Sequence, residues 1–443
     1  MVRDFRQYLR CAAHNGSTRM RASGMAARMN APQNFAPISD PSAEQNAPIG
    51  FAEFVALVAS LMALTALGID AMLPALPAIG GALGVAVEND RQLVIVMFLF
   101  GFGIAQLVHG PLADRYGRRP VLGFALAAYV IANLVAALSS SFVLLLAARF
   151  TAGLAIAASR VVTVALVRDC YSGRAMARVM SLAFMVFMAA PVLAPSFGQL
   201  ILFFGSWRLI FVMIAVISAI ILGWFIWRMP ETLRVENRTP LSLERLWRGW
   251  RLTLTDRASI GYTLAATALL GALYGFINSV QQIVAALTGD DQLLVPVFIA
   301  VASMMALANL LNSRIVMRIG TRRISHSALV GFIAVSAVHL AISLAGAETI
   351  YSFAVLQALA MACFGLATAN FSSMAMEKMG EIAGTASSVQ GFITVTSGAL
   401  MGAWIGRAFD GTTVPLYSGF VILGLVAFAI VAVVERGRLF RPS

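Results

Sequence analysis

Charge is what this sequence has least of. Only 12% of its 443 residues are Asp, Glu, Lys or Arg, where soluble domains average about one quarter, so a soluble globular protein is excluded. Lysine is nearly missing, since 31 of the 32 basic residues are arginine and Lys378 is the exception. The three cysteines, Cys11, Cys170 and Cys363, are odd in number and widely spaced, with no CxxC pair; neither a disulfide framework nor a thiolate metal site fits that spacing. There is no HExxH motif, no serine and histidine at one depth and no cofactor-binding motif. That removes the common hydrolase, protease and cofactor-dependent classes, and no cofactor is expected.

What is present is apolar length. Hydrophobic residues make up 60% of the chain and the mean hydropathy is +0.84. Apolar runs fall near 51–77, 92–112, 121–139, 142–166, 180–204, 207–228, 259–287, 293–315, 326–346, 350–372, 386–407 and 415–434. Most are long enough to cross a hydrocarbon core of ~30 Å at ~1.5 Å per residue. The expected fold class is an all-α membrane protein of twelve spans, with the lipid bilayer as its partner.

A formal net charge of +12 would suit a nucleic acid, but the placement of the charges argues against one. Of the 32 basic residues, 27 lie in the terminal segments and in alternate connections, and only Arg91, Arg208 and Arg407 lie on the opposite side. This is the positive-inside distribution, and it puts both termini in the cytoplasm. Residues 1–48 are polar, lack the apolar core of a signal peptide and read as a disordered cytoplasmic tail, within which Met20, Met25 and Met29 are alternative starts to Met1. The longest connection, 229–258, separates six spans (49–228) from six (259–435) and carries an amphipathic stretch at Leu243, Leu246, Trp247 and Trp250, expected as a helix at the membrane surface. Residues 436–443 close the chain as a cytoplasmic tail.

The division is also a repeat. Arg115, Gly117 and Arg119 recur as Arg318, Gly320 and Arg322, each 203 residues on. Two related halves predict a site at their interface near the membrane midplane.

Charges inside spans are costly, ~2.5–3.5 kcal/mol on insertion scales, so a retained one is a functional candidate. Asp70 in the first span and Arg149 in the fourth lie at the same depth, and are expected to meet directly or through water. Desolvation would then favour the neutral carboxyl and the guanidinium the charged one, a balance suited to loading and releasing a proton. A structural ion pair between two helices is the alternative. Arg160 lies eleven residues after Arg149 on nearly the same face, with Gly153 and Ala157 between them; it either lines the pocket or snorkels to the cytoplasmic surface. Tyr274, Asn278 and Gln281 form a polar stripe on the seventh span, and Gln106 lies on the second. Pocket lining and interhelical hydrogen bonding are open for all four. Phe364 in the tenth span is a candidate for an adaptable apolar wall, with core packing as the alternative, and His339 in the ninth reads as a packed residue.

The run Gly110-Pro111-Leu112-Ala113-Asp114-Arg115-Tyr116-Gly117-Arg118-Arg119-Pro120 closely resembles the loop 2–3 signature of the major facilitator superfamily. In that family the loop latches one half onto the other in the outward-open state, a role that would fall to Gly110, Asp114, Arg115, Gly117 and Arg118. Leu146-Ala147-Ala148-Arg149-Phe150-Thr151-Ala152-Gly153 is similar to the helix 4 motif linked to proton coupling. Ala190-Pro191-Val192-Leu193-Ala194-Pro195-Ser196-Phe197-Gly198 is similar to the antiporter motif of helix 5, with Pro191, Pro195 and Gly198 in place, and departs from it at Ala190 and Gln199. The segments 68–77, Arg168-Asp169, Trp207-Arg208, Pro230-Glu231-Thr232-Leu233 and Ala383-Gly384-Thr385-Ala386-Ser387 resemble the Bcr/CflA branch of drug:proton antiporters.

The resemblance spans residues 51 to 435 and implies a monomeric inner-membrane exporter of small drug-like compounds. It would be driven by proton exchange, with Asp70 and Arg149 in the coupling. A metabolite exporter or importer of the same fold, for amino acids, dipeptides or sugars, is the competing expectation.

Overall fold

The computed structural model describes residues 47–171, 173–238, 243–289 and 293–440. All but the last two positions of the expected N-terminal tail, and the last three of the C-terminal one, lie outside the described residues. Among those described, the chain forms helices and no β-strand.

The first span is broken. Helix α1 (Phe51–Asp70) gives way to a 3-10 turn (Leu73–Ala75) and a short helix α2 (Leu76–Ala82). The cause is local: Pro74 has no N–H to return to the carbonyl of Asp70 four residues back, and Pro77 has none for Leu73. Then follow α3 (Leu93–Tyr116), α4 (Arg118–Ala137), α5 (Phe142–Cys170), α6 (Gly173–Phe204) and α7 (Arg208–Arg228). The connection carries α8 (Leu243–Thr255), and the second set is α9 (Arg257–Thr288), α10 (Leu294–Ile319), α11 (Thr321–Leu344), α12 (Ile350–Met376), α13 (Ala383–Arg407) and α14 (Val414–Val434). Ten of these segments, counting α1 with α2 as one, are long and apolar enough to cross a membrane. The remaining long helices, α6 and α13, have 32 and 25 residues. In α13 the sequence is diluted by Gly, Ser and Thr, residues that let helices approach closely.

Packing follows the repeat. In the first set α1 packs on α6, α3 on α5, and α4 on α5 and α7; in the second α9 packs on α13, α10 on α12, and α11 on α12 and α14. Each pair is the counterpart of the one six spans earlier. The two sets meet chiefly through α3 against α13 and α6 against α10, and these pairs exchange under the same correspondence. The hinge glycines repeat too: Gly117 (φ +106°, ψ 161°) and Gly320 (φ +90°, ψ 149°) each end one helix and start the next. Helix α8 packs against α13, where Gly249 lies on Thr385.

Backbones come together at small residues. A Cβ on Gly101 would strike the carbonyl of Phe150, and one on Gly153 that of Phe98. These two glycines thus set the close crossing of α3 and α5.

Candidate functional site

Asp70 is the last residue of α1 and is buried, 4% exposed. Its carbonyl has lost its helical donor to Pro74, and its side-chain Oδ1 has no hydrogen-bond partner among the described residues. The carboxylate therefore lies at the negative end of the α1 dipole, beside a carbonyl that Pro74 deprives of its helical donor. A proton or a cationic group is the natural complement to such a locus. Gly198 of the antiporter-like segment holds α6 against it, since a Cβ there would collide with the carbonyl of Ala71. Pro195 is buried alongside, whereas the Pro191 side chain lies outside the described residues.

Arg149 lies at the expected level but does not pair with Asp70. Fully buried, its Nη2 donates to the carbonyl of Gly68 at 2.7 Å and its Nε to that of Val94 at 3.0 Å. The guanidinium sits 4.4 Å from the Phe98 ring centroid and 5.8 Å from that of Phe211. Gly68 lies in the last turn of α1, where carbonyls run out of helical donors. Arg149 acts as a C-cap reaching in from another helix, complementing the dipole end. Residues 68 and 70 are ~200° apart around the helix, so Arg149 serves the opposite flank of α1 from the carboxylate. On the stripe beyond Arg149, Gly153 meets the α3 backbone at Phe98 and Ala157 is fully buried.

Cross-helix contacts rank the remaining residues by depth. Ser159 donates to the carbonyl of Leu61 at 2.5 Å, so Arg160 lies near the level of Leu61, nine residues before Asp70 on α1. On the facing half, Gly406 packs on Gln92 and Thr396 on Gly103, and Tyr274 lies against Gly398 and Gly402 between those two levels. Tyr274 thus falls between Asp70 and Arg160, and its hydroxyl is within electrostatic reach of both. Arg160 is exposed, lies within electrostatic reach of Tyr274 of the second half, and has no hydrogen bond or ion pair among the described residues. Its nearest charged or polar influence from another helix is thus a residue of the second half.

The other predicted residues divide. Gln106 is buried and donates to the carbonyl of Gly391 at 3.5 Å, fastening α3 to α13. Asn278 is buried with both amide atoms unpartnered, while Gln281 (7% exposed) and Phe364 (6%) are packed. A groove opens elsewhere, between α10, α11 and α12, lined by Ile315, Arg323, Cys363 and Phe440 among others. None of the predicted site residues lines it.

At the arginine-poor end a polar seam joins the halves. Asn89 donates to the carbonyls of Arg407 and Phe409 at 3.0 and 2.9 Å, and Gln92 to Gly406 at 3.1 Å and to Gln282 at 2.9 Å. Gln282 donates to Asn89 at 2.8 Å, and Arg407 pairs with Asp90 at 2.6 Å. These residues were missed in the sequence, although Arg407 was among the few basic residues on that side.

At the other end the charged residues of the signature loop are engaged within its own half, and only Gly110 of those described below meets the other. Arg118, 3% exposed, pairs with Asp114 at 2.6 Å and with Asp169 at 3.1 Å. Glu231 accepts from the backbone N–H groups of Arg118 and Arg119 at 2.9 and 3.2 Å. Arg115 lies 5.2 Å from the Tyr116 ring centroid, and Gly110 faces Ser388 of α13. In the second half, buried His339 is more than packed: its Nε2 meets Glu348, which also accepts from Thr413, and its ring stacks on Tyr417.

Comparison with known proteins places this geometry. The family model described as Major Facilitator Superfamily matches residues 58–403. The chain is 28% identical to a "Bicyclomycin resistance protein homolog" of Haemophilus influenzae over 85% of this chain and 95% of that one. It is 27% identical to the "Multidrug resistance protein MdtL" of Klebsiella pneumoniae over 86% and 95% of the two chains. A 34% match to a "Chloramphenicol resistance protein" of Pseudomonas aeruginosa covers 54% of this chain and 56% of that one. Among solved structures, the human organic anion transporter MFSD10 superposes with a TM-score of 0.58 at 20% identity, covering 86% of this chain and 99% of that one; this likeness concerns the fold.

Proposed function

The chain belongs to the major facilitator superfamily, and from that premise we propose that it is a proton-coupled antiporter exporting small amphipathic, drug-like compounds by alternating access. The carrying observation is Asp70: a buried carboxylate without an ion-pair partner, at a break in the first span whose 3-10 turn touches α9 of the other half. Broken helices facing a repeat interface are where such proteins bind substrate and coupling ion. A proton and a substrate compete for one carboxylate there. Protonation from the outside displaces the compound, and loss of the proton inward resets the site.

Three relatives are named for resistance to bicyclomycin, chloramphenicol or multiple drugs, which favours drugs over the metabolites of the competing reading. The arginine-rich end is cytoplasmic in this proposal, with both termini inside, in the inner membrane, and the chain acts as a monomer without a cofactor. The sealed seam at the arginine-poor end then corresponds to an inward-facing conformation. The driving force suffices: each charge crossing 100 mV yields ~2.3 kcal/mol, and a tenfold gradient needs ~1.4 kcal/mol.

The test is chloramphenicol or dye export from proteoliposomes under an imposed pH gradient. Export should collapse with an uncoupler and in Asp70→Asn. Uncoupler-sensitive export at the full rate in Asp70→Asn would remove that residue from the coupling, and growth defects on nutrients without drug sensitivity in a deletion strain would favour the metabolite reading.

A further inference from the structure

Arg160 is left unexplained by that mechanism. An arginine is a permanent cation, and keeping one inside a membrane bundle without a counter-ion is costly. Yet it has no ion pair and no hydrogen bond among the described residues, is exposed on the same face of α5 as Arg149 and Gly153, which meets α1 and α3, and lies within electrostatic reach of Tyr274 of the opposite half. Asp70 is its mirror case, a carboxylate with an unpartnered oxygen. The two do not neutralise each other. Their backbone levels differ by the nine residues from Leu61 to Asp70 on α1, a rise of ~13 Å, with Tyr274 between them. Arg149, the other cation nearby, is committed to the carbonyls of Gly68 and Val94.

Tyr274 thus has an anionic group toward one end of the bundle and a cationic group toward the other, two poles each lacking a partner. We infer that the site is built for elongated amphipathic zwitterions, with the cationic group of the compound at Asp70 and its acidic group at Arg160. The polar hydroxyl of Tyr274 serves the middle of the molecule. A compound with both groups fills both poles without leaving a buried charge unpaired, whereas a simple cation or anion leaves one uncompensated. The same arrangement links substrate release to the proton: once Asp70 is neutral, the cationic group loses its partner while the acid keeps its own. This inference deepens the antiporter reading and rests on it for the location of the site.

Binding, rather than transport, is the discriminating readout. Three fluorescent naphthalene compounds of equal length, ending in an amine, in a carboxylate, or in one of each at opposite ends, are titrated onto the full chain in lipid nanodiscs. The zwitterion should bind tightest. Arg160→Gln should weaken the zwitterion and the acid by about tenfold, equivalent to ~1.4 kcal/mol, and leave the amine as tight or tighter. Arg160→Lys should retain the zwitterion, which also serves where the glutamine variant fails to fold. Asp70→Asn should weaken the zwitterion and the amine and spare the acid. Equal affinities for all three compounds in the parent chain, or unchanged affinities in Arg160→Gln, overturn the inference. Selective binding without transport under a pH gradient would sink the antiporter reading and leave this one standing; gradient-driven export of the amine with no preference for the zwitterion would do the reverse.

Discussion

At the scale of single residues, the two intramembrane charges at one level have different occupations. Arg149 donates to the carbonyls of Gly68 and Val94 and lies against Phe98 and Phe211, so its work is to finish α1 and to hold the carboxylate behind it in place. Lysine, a compact point charge, cannot reproduce a planar fork that reaches two carbonyls on two helices. Arg149→Lys should therefore lower stability by on the order of 2 kcal/mol, the worth of a charge-assisted hydrogen bond lost in a buried site, and should cut export as strongly as Arg149→Met. A thermal melt in nanodiscs alongside the transport assay checks this. A lysine variant with parental melting and export would mean that charge alone is what Arg149 supplies. Gly198→Ala should also impair export, because its methyl group would meet the Ala71 carbonyl and push α6 off the segment that carries Asp70.

At the scale of elements, the break after Asp70 follows from proline placement, and it can be mended. Pro74→Ala restores an N–H for the Asp70 carbonyl, so α1 should continue through the turn and rotate the carboxylate out of register. The expected result is unchanged or higher melting temperature with reduced export; full export would make the break incidental. That break was legible in the sequence as Asp70 with proline four residues on, yet an apolar run reaching Pro77 reads most simply as one continuous helix. The hinge between α3 and α4 was equally legible, because Gly117 and Gly320 sit in matching motifs and adopt the same positive-φ conformation. The partners of Arg149 were not, since backbone carbonyls carry no residue signature. Nor could helical periodicity tell that Gly153 meets the α3 backbone: it fixes which residues share a face, not what lies opposite. Glu231 was visible only as part of a family-like segment, and its role as acceptor for the first N–H groups of α4 needed the fold. Glu231→Gln should cost ~0.5–2 kcal/mol, as loss of a helix N-cap does, whereas Glu236→Gln, at an exposed position in the same connection, should be silent by the same melt.

At the scale of the whole molecule, two sets of six helices meet through α3 with α13 and α6 with α10, and the balance of contacts between the two ends decides which side is open. The seam at the arginine-poor end is polar throughout: Asn89, Asp90 and Gln92 from one half, Gln282, Arg407 and the carbonyls of Gly406 and Phe409 from the other. A seam of hydrogen bonds suits a gate that must part, because each group can turn to water when it opens and little apolar surface is exposed in the process. An exposed ion pair such as Asp90 with Arg407 is worth about 0.2–1 kcal/mol; here two N–H groups of the guanidinium donate to one Asp90 oxygen, and the backbone carbonyl of Arg407 accepts from Asn89. Removing both side chains, in Asp90→Ala with Arg407→Ala, should shift the equilibrium toward an open seam by up to about fivefold, the factor that ~1 kcal/mol produces. Spin labels at Ala286→Cys, exposed one turn beyond Gln282 on α9, and at Glu88→Cys, in a chain whose native cysteines are replaced by serine, report the width of the seam by double electron–electron resonance. The parent should give one short distance and the double alanine variant an added longer one, and lowering the pH to load Asp70 should enlarge the longer population in both. If the alanine variant keeps the single short distance, the seam is held by apolar packing of α3 on α13, and the polar contacts merely decorate it.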